Sequence, residues 1–186
     1  ANCSYEKKGQ RIAYDICPVN IVLNNLTQQL GLPFDDKGGI AKTGTVYTPL
    51  LDTLNTLQYY KQSPPKSLGL EWVQEHVFPV LKKITLSPED TIATVTEHIA
   101  IQLAKQFNTH SAVLITGGGA YNTFLLERLQ HYNQLEVAVP CAKLLEYKEA
   151  LIFGLLGVLR LRNEVNCLAS VTGARQDHSS GLIFYR

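Results

Sequence analysis

Apolar residues recur along this chain with two periods, and the switch between them outlines its elements. ANCSYEKKGQRIAYDI (1–16) reads as a hairpin, with a short strand, a turn at Lys8-Gly9 and a second strand from Arg11 to Ile16. VNIVLNNLTQQLGL (19–32) sets Ile21, Val22, Leu26 and Leu30 near helical spacing, and Gly31 is a stop signal. PFDDKGGIAKTG (33–44) is polar and turn-rich, with Asp35 or Asp36 suited to capping a short helix. TPLLDTLNTLQYY (48–60) predicts a helix with Leu50, Leu51, Leu54 and Leu57 on one face. KQSPPKSLGLEW (61–72) predicts a loop, because adjacent prolines forbid regular helix.

Further along, WVQEHVFPVLKKI (72–84) predicts a short helix that Pro79 breaks or kinks. SPEDTIATVTEHIAIQLAKQF (87–107) carries the clearest helical signature: Ser87 caps it, Pro88 takes the first helical position and Asp90 completes an S-x-x-D box. A strand at 111–116, a glycine run, a helix at 122–133 and a strand at 135–140 predict a β-α-β unit with a right-handed crossover. EYKEALIFGLLGVLRLRN (146–163) predicts a long buried helix, and the tail SVTGARQDHSSGLIFYR a loop followed by a final short strand. The class is α/β and helix-rich, with no internal repeat, and 186 residues suit a single domain.

Composition narrows the function classes. Seventeen basic and 16 acidic residues give a net charge of +1, which offers no electrostatic footprint for nucleic acid or an anionic membrane. The longest apolar run, ALIFGLLGVL (150–159), suits a buried helix rather than a membrane span. The N-terminal stretch lacks the apolar core of a signal peptide, and Cys3, Cys17, Cys141 and Cys167 are scattered, with no C-x-x-C pair. These features predict reduced thiols in a cytoplasmic protein. A start without Met, entered in mid-strand, predicts the C-terminal half of a longer protein.

The chemistry-bearing stretch is SAVLITGGGAYNTFLLERL (111–129). A strand that runs into glycines and opens a helix is a recurring anion or nucleotide site, because glycine admits ligand to the backbone and the helix start supplies free N–H groups. Gly117, Gly118 and Gly119 are not a Walker loop, since no Gly-Lys-Ser/Thr follows. Nor are they a dinucleotide fingerprint: Asn122 stands at the third glycine position, and the next strand ends in Val139-Pro140 without an acid. From the residues alone, two readings stand: a tight structural turn, or a nucleotide resting across it.

Other candidates carry similar pairs of readings. Asp15 ends an apolar strand and is followed by Cys17-Pro18-Val19-Asn20 before a helix. It is placed either to hold the water shell of a phosphate-bound Mg²⁺ or, like Asn20, to cap the helix. Glu149, beside Ala150, Leu151 and Ile152, is either a snorkelling surface residue or a carboxylate facing a site. His76, His98, His110, His131 and His178 show no metal-ligand spacing, and Cys17 has no His partner suggested by the sequence.

Eight of these segments, taken in order, resemble the anhydro-N-acetylmuramic acid kinases of the actin/hexokinase/Hsp70-like ATPase superfamily. They are ANCSY (1–5), AYDICPVN (13–20), PFDDKGGIAKTG (33–44), PPKSLGLEW (64–72), the T-x-x-E helix DTIATVTEHIA (90–100), ITGGGAYNTFLLERL (115–129), EYKEALIFGLL (146–156) and SVTGA (170–174). The family turn D-T-G-P-G-N reads Asp15-Ile16-Cys17-Pro18-Val19-Asn20 here, so both glycines and the threonine are replaced.

The resemblance implies a ribonuclease-H-like (actin-like ATPase) fold, a mixed sheet with flanking helices. It implies the C-terminal half of a two-domain sugar kinase that uses ATP and Mg²⁺ and converts 1,6-anhydro-N-acetylmuramic acid to N-acetylmuramic acid 6-phosphate in cell-wall recycling. Gly117, Gly118, Gly119 and Asn122 would then flank adenosine, Asp15, Pro18 and Asn20 the phosphates and Mg²⁺, and Glu149 the sugar. The general base and the first phosphate loop would come from an N-terminal domain absent from this chain, so this chain alone would not turn over. Whether a second copy pairs with it as a homodimer stays open. The rival reading is a non-catalytic nucleotide switch of the same superfamily, suggested by Cys17 and Val19 in the phosphate turn.

Overall fold

The computed structural model describes residues 1–184. β1 (Asn2–Lys7) pairs antiparallel with β2 (Gln10–Asp15), setting Cys3 against Tyr14 and Tyr5 against Ile12. Lys8 at φ 52° and Gly9 at φ 75° are both left-handed, the backbone of a type I′ turn, whose twist matches that of the strands it joins.

α1 (Asn20–Gln28) buries Val22, Leu23, Leu26 and Thr27. Ile21 and Leu30, expected on the apolar face, are exposed, because the buried stripe is rotated onto Leu23 and Thr27. Gly31, at φ 74°, sits just past the end of this helix, as a stop residue should. α2 (Gly39–Thr43) is capped from a distance: the Asp35 carboxylate accepts from the N–H groups of Ile40 at 2.8 Å and Ala41 at 3.0 Å. α3 (Thr48–Asn55) buries Leu50 and Leu54, while Leu57 lies beyond its end.

The Pro79 expectation has a specific outcome. α4 (Leu70–Trp72) widens into a π turn over Val73–Val77 and then resumes as α5 (Phe78–Lys82). Proline lacks an N–H and crowds the carbonyl four residues back, and the wider turn absorbs both effects. α6 (Pro88–Ala104) starts where Ser87 predicts, with the Ser87 hydroxyl oxygen accepting from the Asp90 N–H at 3.0 Å. The Asp90 carboxylate accepts from the Thr45 N–H at 2.7 Å, fastening the start of α6 to the segment after α2.

β3 (Ala112–Leu114), α7 (Thr123–Tyr132) and β4 (Glu136–Ala138) form the expected β-α-β unit with parallel strands. Leu129, Leu135 and Ala104 make a small core with Phe107, Val113, Ile115 and Val137 around it. α8 (Ala142–Leu161) and α9 (Ala169–Thr172) complete the helices, and Cys167 and His178 pair as an isolated antiparallel bridge.

The fold is mixed α/β and helix-rich. In place of one mixed sheet, the strands among the described residues form two two-stranded sheets. The expected terminal strand is not formed through Phe184, and its last two residues lie outside the described residues. The long helix at 146–163 begins earlier, at Ala142, and is not buried: Leu145 is its sole buried residue, while Leu151, Phe153, Leu155 and Leu161 are exposed.

The residues gather into two compact units. One holds Ala1, residues 16–62 and residues 68–140, and centres on α6, against which α1, α2, α3 and α7 pack. The other holds residues 2–15, residues 63–67 and the chain from Cys141, with α9 packed on β2.

Candidate functional site

The glycine turn belongs to the first unit, and its three glycines serve different ends. Gly117 has φ 81° and ψ 175°, a conformation essentially reserved for glycine, and a Cβ there would meet nothing within 4 Å. Gly118 is a close approach: its Cβ would lie 3.1 Å from Asn20 Nδ2. At Gly119 the nearest atom, Val19 Cγ1, is at an ordinary 3.9 Å. Gly118–Tyr121 then make one tight 3-10 turn, and the Asn122 side chain caps α7, its Oδ1 accepting from the Leu125 N–H at 2.9 Å.

The helix-cap reading of Asp15 and Asn20 does not hold. Val19 occupies the cap position of α1, and no side chain caps that end. The Asn20 carboxamide lies instead against Gly118, so the structure brings together Asn20 and the glycine turn, which are about a hundred residues apart in sequence. Pro18 is half-buried in the segment that leads to α1. Of the residues that replace the family pattern, Ile16 and Cys17 turn inward, at 2% and 1% exposed, while Val19 is half-buried. That burial closes the nucleophile reading of Cys17, since a thiol packed in the core has no access to substrate.

Asp15 and Glu149 lie on the second unit. Asp15 ends β2, half-buried, and its N–H donates to the Lys66 carbonyl at 3.3 Å. Glu149 is exposed on α8, which relieves the cost a buried acid would carry there.

Two supports of α7 lie in segments that the sequence singled out without giving them a role. The first is Glu97 on α6, 5% exposed, gripped by Arg128 of α7 through two 2.7 Å hydrogen bonds and by the Tyr132 hydroxyl. Burial works to raise the Glu97 carboxyl, but Arg128 and Tyr132 outweigh it and hold the group below the usual carboxylate range. The signal was present as an acid inside an apolar helix, with Arg and Tyr four apart on α7. The second is Gly38, at φ 76°, where a Cβ would lie 2.4 Å from Asn122 Oδ1 and 2.6 Å from Phe124 Cβ.

A buried polar set stands behind α6. His98 Nδ1 meets Asn55 Oδ1 at 2.8 Å, its Nε2 meets the Tyr60 hydroxyl at 3.0 Å, and Gln102 donates to the same Asn55 oxygen at 2.7 Å. Burial, helped by nearby Lys105, lowers His98 to about 3, so the ring is neutral. Burial also pushes the Tyr60 hydroxyl up.

A family model described as anhydro-N-acetylmuramic acid kinase matches residues 1–186. The chain belongs to the anhydro-N-acetylmuramic acid kinase family. Curated relatives carrying that name include proteins of Variovorax paradoxus, 36% identical over 93% of this chain, and Saccharophagus degradans, 34% identical over 92%. Another is from Burkholderia ambifaria, at 32% identity over 93% of this chain. In each case the match covers 49% of the relative, so this chain spans about half the length of the anhydro-N-acetylmuramic acid kinases it matches. These matches carry the family and the share covered, and they do not bear out the narrower expectation of a C-terminal half. Among the described residues, no helix is long and apolar enough to cross a membrane.

Proposed function

We propose that this chain is one half of an ATP-dependent phosphotransferase that converts 1,6-anhydro-N-acetylmuramic acid to N-acetylmuramic acid 6-phosphate, in the ribonuclease-H-like arrangement of actin-like ATPases. The single observation that supports it most is the Asn20 carboxamide set against Gly118 in a chain that matches the family from end to end. A purely structural turn has no need of an amide facing an exposed glycine.

The residues fit a nucleotide. Gly117 holds the backbone open where a side chain would otherwise stand, Gly118 is exposed, and α7 opens directly after the turn. Gly117, Gly118, Gly119 and Asn122 would line the adenosine side. Asn20 and Pro18, on the same unit as the glycine turn, would meet the phosphates, whose Mg²⁺ usually keeps much of its water. When bound, ATP supplies the phosphoryl group and Mg²⁺ neutralises its charge.

In the reaction, water adds to C1 of the sugar as the C1–O6 bond breaks, O6 takes the γ-phosphoryl group and ADP leaves. The base that accepts the water proton belongs to the other half of the kinase. What this chain supplies is position and hydrogen bonds, the larger part of phosphoryl-transfer catalysis. The setting is cell-wall recycling in the cytoplasm, where Cys3, Cys17, Cys141 and Cys167, outside any disulfide, stay reduced.

The test is a product assay by mass spectrometry with ATP, Mg²⁺ and 1,6-anhydro-N-acetylmuramic acid. The chain joined to the remaining half of the kinase should yield N-acetylmuramic acid 6-phosphate, and the chain alone should yield none. No phosphorylated sugar from the joined protein would refute the assignment.

A further inference from the structure

The stretch 35–38 has no role in the chemistry above, yet Gly38 is built with unusual closeness against Asn122 and Phe124, at the start of the helix that follows the glycine turn. Lys37 and Gly38 are consecutive left-handed residues, at φ 57° and 76°. For Lys37 that backbone is uncommon, and it persists only where surroundings impose it. Those surroundings can be named. Asp35 is fixed by its two hydrogen bonds into α2, the Gly38 N–H donates to the Asp35 carbonyl at 3.3 Å, and the Thr123 hydroxyl donates to the Lys37 carbonyl at 3.1 Å.

The result is that the bare Cα of Gly38 lies against the Asn122 carboxamide. With a Cβ position 2.4 Å from Asn122 Oδ1, no side chain fits unless Asn122 leaves its seat. That same Oδ1 accepts from the Leu125 N–H. Moving it would uncap α7 and release the turn that precedes it.

We infer that the Asp35–Gly38 loop positions the nucleotide-side turn, with Gly38 as a positioning residue that seats Asn122 and, through it, Gly117–Gly119. This rests on the nucleotide reading proposed above. Gly38 touches no ligand itself; it acts by leaving room.

Two other glycines supply controls. Gly44 is equally crowded, its Cβ falling 2.2 Å from the Glu89 carbonyl oxygen, but it fastens the end of α2 to the start of α6 rather than to the turn. Gly39 has ordinary helical dihedrals and nothing within 4 Å.

The experiment is equilibrium binding of Mg·ATP to the chain by calorimetry, with unfolding curves run on each variant without ligand. Gly38→Ala should weaken binding by about tenfold or more, the equivalent of one lost hydrogen bond. Gly44→Ala should lower the unfolding midpoint yet bind as the wild type does. Gly39→Ala should change neither. Thr123→Val, which removes only the hydroxyl on the Lys37 carbonyl, should weaken binding in the same direction by less, and it carries the test if Gly38→Ala does not fold. Wild-type binding with folded Gly38→Ala binding equally well overturns the inference alone, as does an unchanged Thr123→Val when Gly38→Ala is unfolded. Equal weakening by Gly44→Ala also overturns it, because the effect would then be general loosening. No binding by the wild type overturns the nucleotide reading and this inference together.

Discussion

The two longest helices, α6 and α8, have similar apolar content and opposite fates. α6 buries Ile92, Val95, Ile99 and Ala100, and even its polar Thr94, Thr96, Glu97, His98 and Gln102 lie inside. Along α8, Leu145 alone is buried, while Leu151 is 64% and Phe153 71% exposed. The difference lies in the neighbours. α6 is surrounded by α1, α2, α3 and α7, with Glu97 paired to Arg128 of α7 and His98 and Gln102 to Asn55 of α3, whereas the second unit supplies a hairpin, a short helix and a tail. Hydrophobicity states that a helix needs cover, and the cover has to come from particular elements.

The comparison can be broken by substitution. Ile99→Ala, at a site with no solvent exposure, should destabilise the first unit by about 2–5 kcal/mol in denaturant unfolding, while Leu155→Ala on α8 should change stability by less than about 0.5 kcal/mol. Equal losses would mean that α8 is covered in solution. Arg128→Ala should cost about 3 kcal/mol, the low end for removing one partner of a buried pair, because the Arg128 side chain is 29% exposed. A loss within error would show that the grip of α6 on α7 is ornamental.

Acid supplies a subtler probe. His98 has a folded value of about 3 against 6.5 for the free side chain, so the unfolded chain takes up the proton first as pH falls. The contribution is fully present above about pH 6.5 and is lost at up to roughly 1.4 kcal/mol per pH unit as pH falls toward 3. The depressed Glu97 carboxyl works in the same direction, its contribution lost as pH falls through its folded value. His98→Gln should flatten the slope of stability between pH 6.5 and 4, and an unchanged slope would mean that the His98 ring is accessible to protons.

Local signals in the sequence carried most of the elements. Lys8-Gly9 specified the hairpin, Ser87 and Pro88 the start of α6, and the run from 111 to 140 the β-α-β unit, because each depends on neighbours within a few residues. Non-local facts were out of reach. Nothing near Leu151 or Phe153 says that α8 lacks cover, and nothing near Gly38 says that Asn122 will press on it. Site legibility divides the same way. Gly117 was readable as a backbone need, whereas the meeting of Asn20 with Gly118 required the fold, and the sequence offered helix capping as an equally good use for Asn20. Asp90 kept its place in the capping box but lent its carboxylate to Thr45, a partner 45 residues away.

The most direct test of the account is thermal unfolding of this chain with and without Mg·ATP, for the wild type and for Gly118→Val, whose side chain would fill the space beside Asn20. Ligand that binds only the folded state adds about 2.7 kcal/mol of stability at a hundredfold excess over Kd. The account predicts a rise in midpoint for the wild type that Gly118→Val abolishes. A wild type that does not respond to nucleotide, or a Gly118→Val variant that responds equally, would contradict it.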